Sequence, residues 1–155
     1  MNYGFVNVAA AVPSVRVADV RFNVAEIEKQ LAKAEADGVE VVVFPELSLT
    51  GYSCQDLFAQ QLLISAAEEG MALLLNQSRE MDVIGIVGAP VAYHNMLLNC
   101  GIVFQHGRIL GIVPKTFLPN YNEFYEKRWF ASAADIVKGE LSYADNDITI
   151  TSDPQ

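Results

Sequence analysis

The sequence predicts an α/β fold: a mixed β-sheet with helices packed on one face. Three observations carry this reading. Short β-branched runs alternate with two long segments of helical apolar spacing, in the order strand, helix, strand, helix, strand. After Pro90 the period changes, and two apolar runs flank Gln105-His106-Gly107, a short loop containing the glycine that a hairpin turn favours. The whole fits in 155 residues, the length of one domain, with no repeat, low-complexity tract or linker.

Each element follows in order. Phe5 to Val12, closed by Pro13, reads as a first buried strand; it is short and has no basic flank, so it does not resemble a signal peptide. Asn23 and Glu26 have the spacing of a capping box, which predicts a helix starting there. Val24, Ile27, Leu31 and Ala34 form its apolar stripe and Gly38 its C-terminal stop. Val39 to Phe44 is a second strand whose near-continuous β-branching implies burial on both faces. It stops at Pro45, and Glu46 follows. A second helix is expected over Leu57 to Ser78, with Leu62, Leu63, Ala66, Ala67, Met71, Leu74 and Leu75 on its apolar side. Asp82 to Gly88 reads as a third strand ended by Ala89-Pro90. Met96 to Phe104 and Arg108 to Val113 pair antiparallel. Beyond Ala131 the pattern alternates only weakly, and no element there is expected to close the fold.

Composition narrows the function classes. A hydrophobic content of 52% with 19% charged residues belongs to a globular protein that can bury a core. Ten basic residues against 19 acidic ones give a net charge of −9, which repels nucleic acid and anionic membrane surfaces. No apolar stretch approaches the roughly 20 residues of a spanning helix. Cys54 and Cys100 form neither a disulfide framework nor a metal-ligand spacing, which points to a reducing, cytoplasmic setting. Cys100, in an apolar run, reads as an inert buried thiol; Cys54, in a polar loop, reads as the more exposed of the two.

The chemistry concentrates in Pro114 to Phe130, P-K-T-F-L-P-N-Y-N-E-F-Y-E-K-R-W-F. Lys115 stands where a strand runs out into a loop, and Glu46 stands at the corresponding end of the second strand. A carboxylate and an ammonium converging at two strand ends can handle protons. The same spacing fits a structural ion pair that ties the strand ends together. Four further ionisable residues, Glu123, Glu126, Lys127 and Arg128, lie among Tyr121, Phe124, Tyr125, Trp129 and Phe130.

Phe44-Pro45-Glu46-Leu47 with Thr50-Gly51-Tyr52, followed at a distance by Lys115-Thr116-Phe117-Leu118-Pro119-Asn120-Tyr121-Asn122-Glu123-Phe124-Tyr125-Glu126, resembles the nitrilase superfamily of carbon-nitrogen hydrolases. Within it, the chain is similar to the N-terminal part of the glutamine-hydrolysing domain of glutamine-dependent NAD synthetases. The resemblance implies an α-β-β-α sandwich, present here as an incomplete N-terminal half, and a Glu-Lys-Cys catalytic set acting on the side-chain amide of L-glutamine. It matches Glu46 to the general base and Lys115 to the lysine that stabilises the developing oxyanion. Glu126, in preference to Glu123, matches the second glutamate that orients the lysine. Tyr52 and Tyr121 fall where this branch places tyrosines near glutamine, although either could equally be a packed aromatic.

The family nucleophile is a cysteine on a strand further downstream, and residues 1–155 hold none that matches: Cys54 follows Glu46 by only eight residues, and Cys100 precedes the lysine inside a strand. The expectation is therefore that residues 1–155 are the N-terminal portion of a glutamine amidotransferase domain, inactive by themselves, with the cysteine half and a synthetase domain outside them. No metal or cofactor is expected for this portion; ATP, Mg and deamido-NAD are expected only in the synthetase domain. The uncovered sheet should favour homo-oligomers. A stand-alone hydrolase of another amide or nitrile, and a non-catalytic interaction module of the same fold, are the alternatives. A nucleotide-binding flavodoxin-like fold fits less well, since no glycine-rich phosphate loop follows the first strand.

Overall fold

The computed structural model describes residues 4–151. Five strands form one sheet in the order β1 (Val8–Ala10), β2 (Val41–Val43), β3 (Ile84–Tyr93), β4 (Met96–Gln105), β5 (Arg108–Pro114). The first three run parallel, and β4 and β5 return antiparallel. Parallel pairing needs crossovers, which α1 (Val20–Ala36) and α2 (Gln61–Gln77) supply on one face of the sheet. Ile27, Leu31, Met71 and Leu74 are fully buried against Val42, Ile102 and Phe104, and this is the core. Gly70 lets the helices approach: a Cβ there would lie 2.7 Å from Val20 Cγ1.

The other face of the sheet is open. Strand alternation and register put Val8, Val43, Ile86, Gly88, Gly101 and Val113 on it. Val8, Val43 and Val113 are 67%, 43% and 63% exposed. The expectation of buried first and second strands is thereby corrected: β2 buries only Val42, on the side that meets the helices, and β1 only half-buries Ala9 there. The helix and sheet layers are those of half an α-β-β-α sandwich.

Several boundaries also differ from expectation. Helix α1 is capped by Asp19, whose carboxylate accepts from Phe22 N. Asn23 lies inside the helix, fully buried, and bonds the Arg16 main chain and the Leu49 carbonyl instead of forming a capping box. Residues Tyr52–Ala59 are 3₁₀ turns and α2 starts only at Gln61, which leaves Leu62 83% exposed and off the apolar stripe. Strand β3 continues through Pro90 to Tyr93. Pro90 is tolerated because β2 ends opposite Ile86, so β3 has no strand neighbour on that side and needs no donor there.

A second, two-stranded sheet, β6 (Gly139–Tyr143) with β7 (Asn146–Ile150), was not expected. Its turn residues Ala144 and Asp145 both have positive φ without a glycine. The turn is held by Ala144 N donating to Glu68 of α2, and Ile150 and Tyr143 are buried. The segment after Ala131 therefore does close part of the core.

Candidate active site

The turn after β2 presents Glu46. Phe44 N donates to Ile86 O, extending the β2 register, and Leu49 N donates to Gly88 O while Ser48 Oγ accepts from Gly88 N. Gly88 is required because a Cβ would lie 2.2 Å from Leu47 N. Leu47, fully buried, takes φ 51°, a left-handed conformation costly for a branched side chain. Burial of Leu47 and the carbonyl it offers to Thr50 N and Gly51 N hold that turn, so the glutamate is set by a braced backbone.

Lys115 leaves β5 one residue after Pro114, with its N–H on Asn99 O at 2.8 Å and its carbonyl accepting from Ala133 N. Its ammonium donates to Glu46 Oε1 at 2.8 Å and to Glu126 Oε1 at 2.9 Å. Glu126 Oε2 is also 2.9 Å away, held by charge without a second well-aligned hydrogen bond. The Glu126 side chain is 2% exposed, whereas that of Glu46 is 41% exposed and faces the opening. Burial alone would lower the lysine's pKa; hydrogen bonds and charge from Glu46 and Glu126 outweigh it and raise the pKa. The group is a fixed cation.

Tyr52 donates to Glu126 Oε1 at 2.7 Å. Burial, then the hydrogen bond to Glu126 and the neighbouring carboxylate charges, push its pKa up, so the phenol keeps its proton. Its ring meets Phe124 edge-on, and Phe124 meets Tyr121 the same way. Arg128 grips Asp56 through two nitrogens and Trp129 Nε1 adds a third bond, clamping the 3₁₀ turns that carry Tyr52 onto the segment that carries Glu126.

The structure thus brings together Glu46, Lys115, Glu126 and Tyr52. Tyr121, 64% exposed, lies at the edge of this group, and Glu123 is exposed. Of the two glutamates considered as the lysine's second partner, Glu126 is the one in contact. Cys54 is corrected: it is 2% exposed, directed at Thr50 O and Gly51 O, and burial raises its pKa. Cys100 is equally buried, with its pKa raised by burial, and by strand alternation it faces the helices, away from Lys115. Among the described residues no group of three or more His, Cys, Asp or Glu could hold a metal ion, and no helix is long and apolar enough to cross a membrane.

Asn99 was missed. Its side chain, 3% exposed, donates from Nδ2 to Glu46 Oε1, and it sits on β4 directly opposite Lys115. Counting back from the His106-Gly107 turn would pair Lys115 with Leu98. A bulge between Val103 and Phe104 shifts the register by one and places Asn99 there instead.

A carboxylate, an ammonium and a buried second carboxylate stand together at one end of a helix-backed mixed sheet. The carbon-nitrogen hydrolase profile matches residues 7–149, and the chain belongs to that family. It is 37% identical over 134 residues to the glutamine-dependent NAD(+) synthetase of Mycobacterium leprae, covering 86% of this chain and 20% of that protein. The enzyme of the same name from Mycobacterium tuberculosis is 34% identical over 152 residues, 98% of this chain and 22% of that one. The crystal structure of a glutamine-dependent NAD(+) synthetase from Cytophaga hutchinsonii superposes with a TM-score of 0.81 at 26% identity, covering 93% of this chain and 24% of that chain. An amidase from Nesterenkonia sp., at 19% identity and TM-score 0.73, shares the fold over 93% of this chain and 54% of its own. The chain spans about a fifth of the length of the synthetases it matches.

Proposed function

We propose that residues 1–155 are the N-terminal portion of the glutamine-hydrolysing domain of a glutamine-dependent NAD synthetase. The observation that carries this is the Lys115 ammonium held between Glu46 and Glu126, in a chain 34–37% identical to such synthetases. In this reading a cysteine from outside these residues approaches the open end of the sheet. Glu46 takes its thiol proton, the thiolate attacks the side-chain amide carbon of L-glutamine, and Lys115 stabilises the oxyanion. The nitrogen is protonated and leaves as ammonia, and water then hydrolyses the thioester to glutamate. Glu126 orients Lys115, Tyr52 fixes Glu126, and Tyr121 with Glu123 borders the glutamine. The hydrolysis needs no metal; ATP, Mg and deamido-NAD belong to the synthetase domain that receives the ammonia. The setting is cytoplasmic, and residues 1–155 alone do not turn over glutamine, because Cys54 and Cys100 are both buried away from Lys115.

The test uses the full-length protein. Glu46→Gln and Lys115→Met should each lower glutamine-dependent NAD formation by about 10²-fold or more while leaving ammonia-dependent formation intact. Equal loss of both activities, or retention of both, overturns the reading.

A further inference from the structure

We infer that Asn99 is a positioning residue that makes Oε2 of Glu46 the proton-accepting atom and sets the spacing of Glu46 from Lys115. The inference rests on the reading of Glu46 as the base. Glu46 Oε1 accepts from two donors at once, Lys115 Nζ at 2.8 Å and Asn99 Nδ2. A carboxylate oxygen has two in-plane lone pairs, so Oε1 is saturated and a thiol must deliver its proton to Oε2.

Asn99 is placed to do this from both ends. Its carbonyl receives Lys115 N at 2.8 Å, so one residue fastens the lysine's backbone and the glutamate's side chain. It lies in the middle of a ten-residue strand paired on both sides, to Pro90 and to the end of β5, and is 3% exposed. A buried amide in that position is held where it can donate to a neighbouring carboxylate and favour its ionised form. Without it, Glu46 would be free to turn either oxygen toward the lysine.

The experiment compares wild type with Asn99→Leu and the isosteric Asn99→Asp. In the full-length protein, Asn99→Leu should lower glutaminase kcat about tenfold with KM within about twofold, and move the acid limb of kcat/KM up by about one pH unit. Asn99→Asp replaces the donor by a second negative charge and should move the limb further still. It also carries the test if the leucine variant does not fold. An acid limb unmoved to within about 0.2 pH unit, or a loss confined to KM, overturns the inference. A second readout needs no catalysis: a crystal structure of the full-length Asn99→Leu variant should show the Glu46 carboxylate turned from its present orientation and off its 2.8 Å spacing from Lys115 Nζ. Should Glu46→Gln retain full glutaminase activity, the base assignment fails; the variant structure still decides whether Asn99 governs Glu46, and an unchanged Glu46–Lys115 geometry sinks it.

Discussion

Tyr52 donates its hydroxyl to Glu126 Oε1 across 2.7 Å, so the lip that follows Glu46 is fastened to the carboxylate buried behind Lys115. Two segments far apart in sequence meet at one oxygen, which also receives the lysine. Tyr52→Phe removes one donor from a buried charge and leaves the ring contact with Phe124 in place. The expected cost is about 1–2 kcal/mol of stability, at the low end for a bond to a charged group because Tyr52 is partly exposed. A urea unfolding midpoint lowered at unchanged m-value checks it.

Glu126→Gln keeps the shape and an oxygen for Tyr52 but removes the buried charge that helps hold Lys115. The lysine then leans on exposed Glu46 alone. In the full-length protein kcat for glutamine should fall about 10²-fold, while KM changes little, because an oriented cation matters most where charge develops. Glu123→Gln should leave kcat within about twofold, since the lysine's contacts go to Glu46 and Glu126, and its effect should fall on KM, where a group bordering the glutamine acts. Steady-state kinetics on the two variants separate the glutamates.

The Asp56 clamp predicts a pH dependence on the acid side. Hydrogen bonds from Arg128 and Trp129 hold the Asp56 carboxyl down at about 2, below its ordinary value of about 4. A depressed folded-state pKa stabilises fully above the unfolded value and loses that contribution as pH falls through the folded one. The stability difference between wild type and Asp56→Asn should therefore be constant above about pH 4 and shrink between about pH 4 and 2. Lys115 has the opposite sign: its raised pKa stabilises below the unfolded value of about 10.4 and is lost as pH climbs through the folded value. Denaturant titrations across both ranges read the two effects separately.

Much of this arrangement was legible in the sequence. The α1 stripe was, because Ile27 and Leu31 follow the helical period into the core. The β4–β5 hairpin was, because His106-Gly107 turns in the left-handed region where glycine is favoured. The strand ends carrying Glu46 and Lys115 were too, since at each a proline follows the β-branched run and immediately precedes the charged residue. What stayed hidden depends on contacts that no local pattern records. Ala144-Asp145 turns with positive φ because Glu68 receives the turn N–H. Burial on both faces of β2 was inferred from the run Val39 to Phe44, but β-branching reports strand preference and not which face is covered. Asn99 was displaced from its counted position by a single bulge residue.

The open sheet face carries its own expectation, that the 155-residue chain associates with a second copy. Val8, Val43 and Val113 lie exposed on that face with Ile86 between them. Val43→Thr combined with Val113→Lys should lower the weight-average mass at high concentration toward that of a monomer, because a charge on the face must be desolvated to be covered. Light scattering that finds the wild-type chain monomeric throughout contradicts the expectation.

Gly88 and Gly101 are cross-strand partners on that same face, yet they should respond differently to a methyl group. At Gly88 a Cβ would lie 2.2 Å from Leu47 N and 2.8 Å from both the Glu46 carbonyl carbon and Pro45 O; at Gly101 it would meet nothing within 4 Å. The obstacle at Gly88 is backbone and cannot rotate away, so Gly88→Ala must push the Pro45–Leu47 turn off β3. That breaks the bonds from Gly88 to Ser48 and Leu49 and carries Glu46 away from Lys115 and Asn99. The expected cost is about 2–3 kcal/mol, the upper part of the range for overpacking that forces a backbone shift, or a fall in Tm of about 4–12 °C at this chain length. Gly101→Ala should change Tm by less than about 2 °C. Thermal unfolding of the two variants, with the Glu46 carboxyl signal followed by NMR, tests whether the turn is supported from below by a missing side chain: equal Tm shifts, or a Glu46 signal unmoved in Gly88→Ala, would show that the turn is held by its own bonds alone.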